Sequence, residues 1–163
     1  MVIDIISTTN AIEETVQQRV VTILDDDPEP TVTLSVGATT IPESGGSTTV
    51  TATLSAVSNF EIIASLLPTG TTRSSDFTLP TSIFIQAGSL SGTVTLAAVH
   101  DLLSEFNETV VIDISGVTNG TEDTRQGEQQ KTVTITDDDP LPAVTLSVGG
   151  TTIAETDGFT PVT

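Results

Sequence analysis

The residues in this chain best suited to chemistry are carboxylates, and they gather in short segments. The runs "DDDPEP" and "DDDPLP" place Asp25, Asp26 and Asp27, and again Asp137, Asp138 and Asp139, at the ends of alternating apolar stretches. Between the two runs, single acids sit in polar segments: Glu43 in "IPESGG", Asp76 in "SSDF", and Asp101 and Glu105 in "HDLLSEFNE". Like charges this close are costly when bare, since a pair about 4 Å apart repels by roughly 4 kcal/mol at an effective dielectric near 20. A bound divalent cation reverses the sign. Calcium accepts several hard oxygen ligands in flexible geometry, which suits carboxylates drawn from different loops, whereas magnesium demands a stricter octahedron and retains water. Zinc favours His or Cys, and the sequence offers one histidine, His100, and no cysteine.

Composition narrows the alternatives. The 163 residues include 22 acidic and 4 basic side chains, a formal net charge of −18. Such a field repels phosphate backbones and anionic lipid, so neither nucleic acid nor a membrane surface is an expected partner. Hydrophobic residues reach 36%, too many for a disordered acidic tail. Aromatics are only 3%, so the core must come from β-branched and aliphatic side chains, which favour strands. Without cysteine there is no disulfide framework and no thiol nucleophile. No apolar run approaches the roughly 18 residues of a membrane span. Met1 is followed by "VIDIIS" with no basic segment, which is unlike a signal peptide and is expected to mark a cut in a longer chain. No enzyme activity is expected. His100 has no evident Ser or Cys partner, and a glycosidase pair of Glu43 and Asp76 would lack an aromatic sugar platform, there being no Trp or Tyr. The triplets "NET" (107–109) and "NGT" (119–121) are formal glycosylation sequons that occur often by chance.

The elements that must position these acids repeat along the chain. Residues 25–51 and 137–163 agree at about 19 of 27 positions without a gap, at an offset of 112. "VIDIISTTN" (2–10) resembles "VIDISGVTN" (111–119) at an offset of 109, and the three-residue difference falls in the following loop. Self-similarity at a fixed period signals a repeat array, and a period this long is that of globular domains in tandem. Residues 1–27 therefore read as the C-terminal strands of one repeat, 28–139 as a complete repeat, and 140–163 as the N-terminal strands of a third. The partial repeats lack their other strands and are expected to be frayed or differently paired.

Within the complete repeat, seven segments read as strands: 31–36, 47–55, 60–67, 82–86, 92–99, 108–115 and 131–136. Most alternate apolar and polar residues, and all are bounded by Gly, Pro, Asn, Asp or Ser clusters. The continuous run "FEIIASLL" (60–67) suggests a strand buried on both faces or at a sheet centre. Only "HDLLSEF" hints at a helix, and it is too short to form one alone. About seven short strands in a repeat this long predict an all-β, antiparallel, Ig-like β-sandwich. Its inward stripe would be Val32, Leu34, Val50, Leu54, Ile63, Leu66, Ile83, Ile85, Val94, Leu96, Val110, Ile112, Val133 and Ile135. Alternate loops of a sandwich collect at one end. That rule puts Glu43, Asp76, Asp101, Glu105 and Asp137–Asp139 together. An isolated acidic run is usually solvent-facing; its recurrence at one structural place, with three acidic loops converging on it, favours a metal site.

These residues resemble the Calx-beta domain family, a β-sandwich module of sodium–calcium exchangers, integrin β4 and large bacterial surface proteins. The similarity is carried by "VTLSVGATTIPESGGSTTVTATLS", "SSDFTLPTSIFIQAGSLSGTVTLAAVHD", "SEFNETVVIDIS" and "KTVTITDDD", which together span most of residues 31–139. The resemblance implies calcium ligands at Glu43, Asp76, Asp101, Glu105, Asp137, Asp138 and Asp139, with the carbonyl of Leu103 as an addition. One departure is His100, which stands where the exchanger's high-affinity domain has an acid; fewer acids imply fewer or weaker ions. The implied role is a calcium-binding repeat of a long extracellular, bacterial cell-surface protein, such as an adhesin stalk, filament or matrix scaffold, with calcium stiffening the junctions between neighbouring repeats. Two alternatives are a calcium-sensing regulatory module and an accessory domain of a secreted enzyme. Incomplete terminal repeats also expose sheet edges that could self-assemble by strand addition.

Overall fold

The computed structural model describes residues 1–125, 129–156, 158–159 and 161–162. Positions 126–128, in the loop that carries the length difference between repeats, and 157, 160 and 163 of the third repeat lie outside them. The described residues form no helix, and the repeat is a sandwich of two five-stranded sheets. In chain order the strands are β1 (Val2–Ile3), β2 (Arg19–Val20), β3 (Thr31–Val36), β4 (Thr40–Pro42), β5 (Ser47–Leu54), β6 (Ile62–Gly70), β7 (Phe77–Thr78), β8 (Ser82–Ile85), β9 (Ser91–Ala98), β10 (Glu108–Thr118), β11 (Thr121–Glu122) and β12 (Lys131–Thr136). One sheet has the order β4-β12-β10-β6-β8 and the other β11-β3-β5-β9-β7. All seven expected strands are present, shifted by one to three residues at some ends. The three short additions, β4, β7 and β11, carry too few residues to show a period.

Alternation sets the faces. In β5, Thr48, Val50, Ala52 and Leu54 are buried, while Ser47, Thr49 and Thr53 face outward. Thr48 is the polar member of that inner row, and its hydroxyl accepts the Ala38 N–H at 2.7 Å. Valine, isoleucine, leucine and alanine fill the space between the sheets; Ile62, Ile83, Ile85, Leu96 and Ile112 are its largest wholly enclosed side chains. Burying each stabilises the fold by about 1.5–3 kcal/mol relative to exposure.

Two members of the expected inward stripe are corrected. Ile63 is not an inner residue of β6; Ile62, Ala64 and Leu66 are. Ile63 and Leu66 are three positions apart, and a period of two cannot turn both inward. Of the two readings of the apolar run in β6, the interior place in the sheet holds, with β6 between β10 and β8, and Leu67 is exposed. Val94 is only partly enclosed, packing at the margin of the core. The "HDLLSEF" segment, too short for a helix alone, is an irregular loop. The sandwich is also not wholly antiparallel: β4 pairs with β12, and β11 with β3, in parallel.

Those parallel pairs follow from the path of the first strand. After β3 the chain passes through Gly37 to Thr39 and crosses to the opposite sheet as β4. The register then fixes the two poles. Val32 pairs with Leu54 and Val36 with Val50, so residues 28–30 share one pole with the β5–β6 loop. Glu108 pairs with Ile135 and Pro42 with Thr136, so Glu43, the β9–β10 loop and Asp137–Asp139 share the other. Outside the complete repeat, β1 pairs only with β2, and among the described residues after 139 a single isolated bridge joins Val148 to Val162. Residues 144–148, which copy β3, are exposed.

Candidate metal centre

Each acid of the second pole is delivered by a strand end. Glu43 follows β4, and its N–H continues that ladder to the Thr136 carbonyl at 2.9 Å. The turn behind it requires glycine. Gly45 has φ of +80°, and a Cβ on Gly46 would lie 2.1 Å from the Pro42 carbonyl oxygen. This tight turn presses the Glu43 side chain inward, leaving the residue 6% exposed. Asp76 sits just before β7, held by the Arg73 N–H at 2.9 Å and the Ser75 hydroxyl at 2.7 Å. Asp137 directly follows β12; its Oδ2 accepts the Glu105 N–H at 3.1 Å, which draws the β9–β10 loop toward the triplet.

Carboxylate oxygens from these elements meet in three groups, within each of which the ligand atoms lie no more than 4.8 Å apart: Glu43 with Asp137 and Asp139; Glu43 with His100 and Asp138; and Asp76 with Glu105 and Glu108. A void of about 10 Å³ lies among Glu43, Asp76, Glu105, Glu108 and Asp137, about the space of one water-sized sphere. Six of the expected side chains are thus brought together: Glu43, Asp76, Glu105, Asp137, Asp138 and Asp139. Asp101 joins none of the three groups, which are made of side chains and so do not bear on the Leu103 carbonyl. Asp101 turns its carboxylate to the Leu103 N–H at 2.7 Å, while its own N–H donates to Glu43 Oε1 at 2.8 Å. Its position organises the loop around Glu43.

Two groups escaped the reading of the sequence as metal candidates. Glu108 opens β10 and looked like an ordinary strand residue. His100 was taken as a loop residue, yet its Nδ1 lies 3.7 Å from Glu43 Oε1. Among the described residues, neither lysine nor arginine forms an ion pair with any acid of this pole. The Glu108 carboxyl is accordingly pushed above its usual range, first by burial and then by the charges of Asp76 and Glu105. Asp139 Oδ2 is buried without a hydrogen-bond partner, which is costly unless something positive approaches it. Two groups made wholly of carboxylates, a buried acid with no lysine or arginine partner and an orphaned carboxylate oxygen fit a hard divalent cation. At the opposite side of the sandwich, Asp123 is also buried but is met by Arg125 Nε at 2.8 Å. Hydrogen bonding to Arg125 lowers its pKa to about 2.

Solved structures share this fold. The Calx CBD1 domain in its apo form matches with a TM-score of 0.54 at 18% identity, covering 67% of this chain and 99% of that one. The sandwich has the fold of these Calx domains. CBD12 from CALX1.2 matches with a TM-score of 0.51 at 19% identity over 61% of this chain. The match spans 41% of the length of CBD12. No family model and no curated protein matches the sequence. In this Calx-beta sandwich the candidate centre lies where the chain leaves the module, beyond β12, and no helix among the described residues is long and apolar enough to cross a membrane.

Proposed function

We propose that the complete repeat is a calcium-binding structural module of a long extracellular protein, and that calcium stiffens the junction between one repeat and the next. The observation that carries this reading is the convergence of Glu43, Asp76, Glu105, Glu108 and the Asp137–Asp139 triplet from four separate strand ends on one pole, without a lysine or arginine partner. In such a site the carboxylates supply hard oxygen ligands, and calcium supplies the charge that lets them stay close. Because the triplet is also the start of the linker, whatever orders it orders the path to the next repeat. Pro140 and Pro142 already restrict that path. A surface stalk, filament or matrix scaffold is the kind of assembly that uses such a joint. Calcium ions and neighbouring repeats of the same chain are the partners.

The test is thermal melting and small-angle scattering of the chain with calcium and with chelator, for the native sequence and for Asp139→Asn. Calcium is expected to raise the melting temperature and reduce the spread of dimensions in the native chain, and to do much less in the variant. Identical melting and scattering with and without calcium would refute the proposal.

A further inference from the structure

Exposed apolar side chains mark both poles of the module. On the β9–β10 loop, Leu102, Leu103 and Phe106 stand 83%, 61% and 93% exposed beside the carboxylates. At the other pole, Val57 and Phe60 on the β5–β6 loop are 60% and 66% exposed. Each is the kind of apolar anchor that marks an interface rather than a solvated loop. We infer that the two surfaces dock on each other between successive copies: the crown of one repeat seats on the 57–60 loop of the repeat that follows. This rests on the calcium-junction reading and specifies which side chains make the joint.

The chain shows the two halves of this joint separately. Asp25 and Asp27 are the copies of Asp137 and Asp139 at the offset of 112. They line a groove of about 310 Å³ together with Pro28, Val57, Phe60 and Asn119. Asp25 and Asp27 of the preceding triplet therefore share one groove with the β5–β6 loop of the module they lead into. In the complete repeat, the triplet lies against the loop that bears the crown, through the bond from the Glu105 N–H to Asp137. Overlaying the two copies of the triplet puts crown and 57–60 loop on the two sides of one junction.

Reach and charge agree. Only Pro140, Leu141 and Pro142 separate Asp139 from Ala143, the counterpart of Thr31 at the start of β3. Three extended residues span about 10 Å, too little to hold two poles apart. The receiving pole is uncharged at its loop tips, while Glu29 stands at the margin of the groove. Its three loops carry no charged residue over 55–60, 86–91 and 116–121, in a chain of net charge −18. They are tied to one another, with the Gly88 N–H donating to Ser58 O at 2.8 Å and Asn119 Nδ2 to Glu61 O at 2.9 Å. Loop tips without charge repel the approaching carboxylates less than a fully acidic face would.

The absence of native cysteine allows a direct test. The chain bearing Leu102→Cys is mixed with an equal amount of the chain bearing Phe60→Cys, in calcium, under mild oxidation with diamide. Val57→Cys serves as a second acceptor, and Leu67→Cys, on an outer sheet face, as the control. Docking predicts heterodimer in roughly tenfold excess over either homodimer, against the about twofold ratio of random collision, which the Leu67→Cys control should show. A random ratio with both acceptors overturns the proposal, as does an excess of the Leu102→Cys homodimer, which would mean that crowns pair with each other. Melting of the same chains with and without calcium separates the two ideas. A calcium shift with random dimers leaves the calcium reading standing and the docking refuted. Heterodimer excess without a calcium shift does the reverse.

Discussion

Asp137, Asp138 and Asp139 leave β12 among loops that bring Glu43, His100 and Glu105 to meet them. Asp25, Asp26 and Asp27 have the same sequence and the same following proline, yet the groove they enter is lined by Val57, Ser58, Asn59 and Phe60. No metal-competent group among the described residues includes them. The difference teaches that three adjacent aspartates are not a site. Within a triplet, neighbouring side chains diverge along the backbone and cannot enclose an ion. The site is made by loops far apart in sequence, which the fold returns to the end of β12.

The sharpest way to break this comparison is to remove each triplet's carboxylates in turn. Asp137→Ala with Asp139→Ala should abolish most of the calcium-induced stabilisation, while Asp25→Ala with Asp27→Ala should leave it intact. At a calcium concentration about 100 times Kd the stabilisation is about 2.7 kcal/mol. For a domain of this size that corresponds to a melting shift of about 10 °C. Equal losses from the two pairs would show that the loops contribute nothing beyond the triplet.

A smaller effect separates crowding from ligation. In chelator, Glu108→Gln should raise the melting temperature by about 2–4 °C at neutral pH, because it removes a carboxylate held close to Asp76 and Glu105. In calcium the same change should reduce the gain from the ion. Calorimetric melting in the two buffers checks both directions, and a variant that loses stability in chelator would mean that Glu108 is not under repulsive strain.

The smallest effect concerns the acid that has its own cation. Asp123 has a folded pKa of about 2, below its ordinary value of 3.8, owing to hydrogen bonding with Arg125. A depressed carboxyl adds stability that is fully present above the ordinary value and is lost as pH falls through the folded one. The contribution should therefore fade between about pH 4 and pH 2, and Arg125→Ala should flatten that part of the acid melting curve without altering the calcium response. Melting from pH 5 down to 2, compared between native chain and variant, measures it.

How much of this could be read in the sequence depends on the local signal. Glu43, Asp76 and Glu105 stand in polar loops between strongly alternating strands, so counting strands was enough to place them at one pole. Glu108 gave no such signal, because it begins the alternating run of β10; its role appears only when its pairing with Ile135 brings it to Asp76. The orientation of Asp101 depends on a side-chain rotamer that no spacing specifies. Ile63 failed for a different reason: "FEIIASLL" is apolar at successive positions, so either face could be the inner one until β6 pairs with β8 and β10. The shift at Ser115, where the β10–β6 register skips between Ile114 and Gly116, adds to that ambiguity.

The parallel pairing of β4 with β12 bears on how the module answers force. The chain enters near Thr31 at one pole and leaves after Thr136 at the other, and the pairs Thr40–Thr134, Ile41–Ile135 and Pro42–Thr136 lie between the two ends. Tension along the chain slides these strands lengthwise, so their hydrogen bonds are loaded together in shear instead of peeling open one at a time. Glu43 follows one strand and Asp137 the other, so a cation held between them would rivet the end of this clamp, and the force needed to rupture the module would rise and fall with the calcium around it.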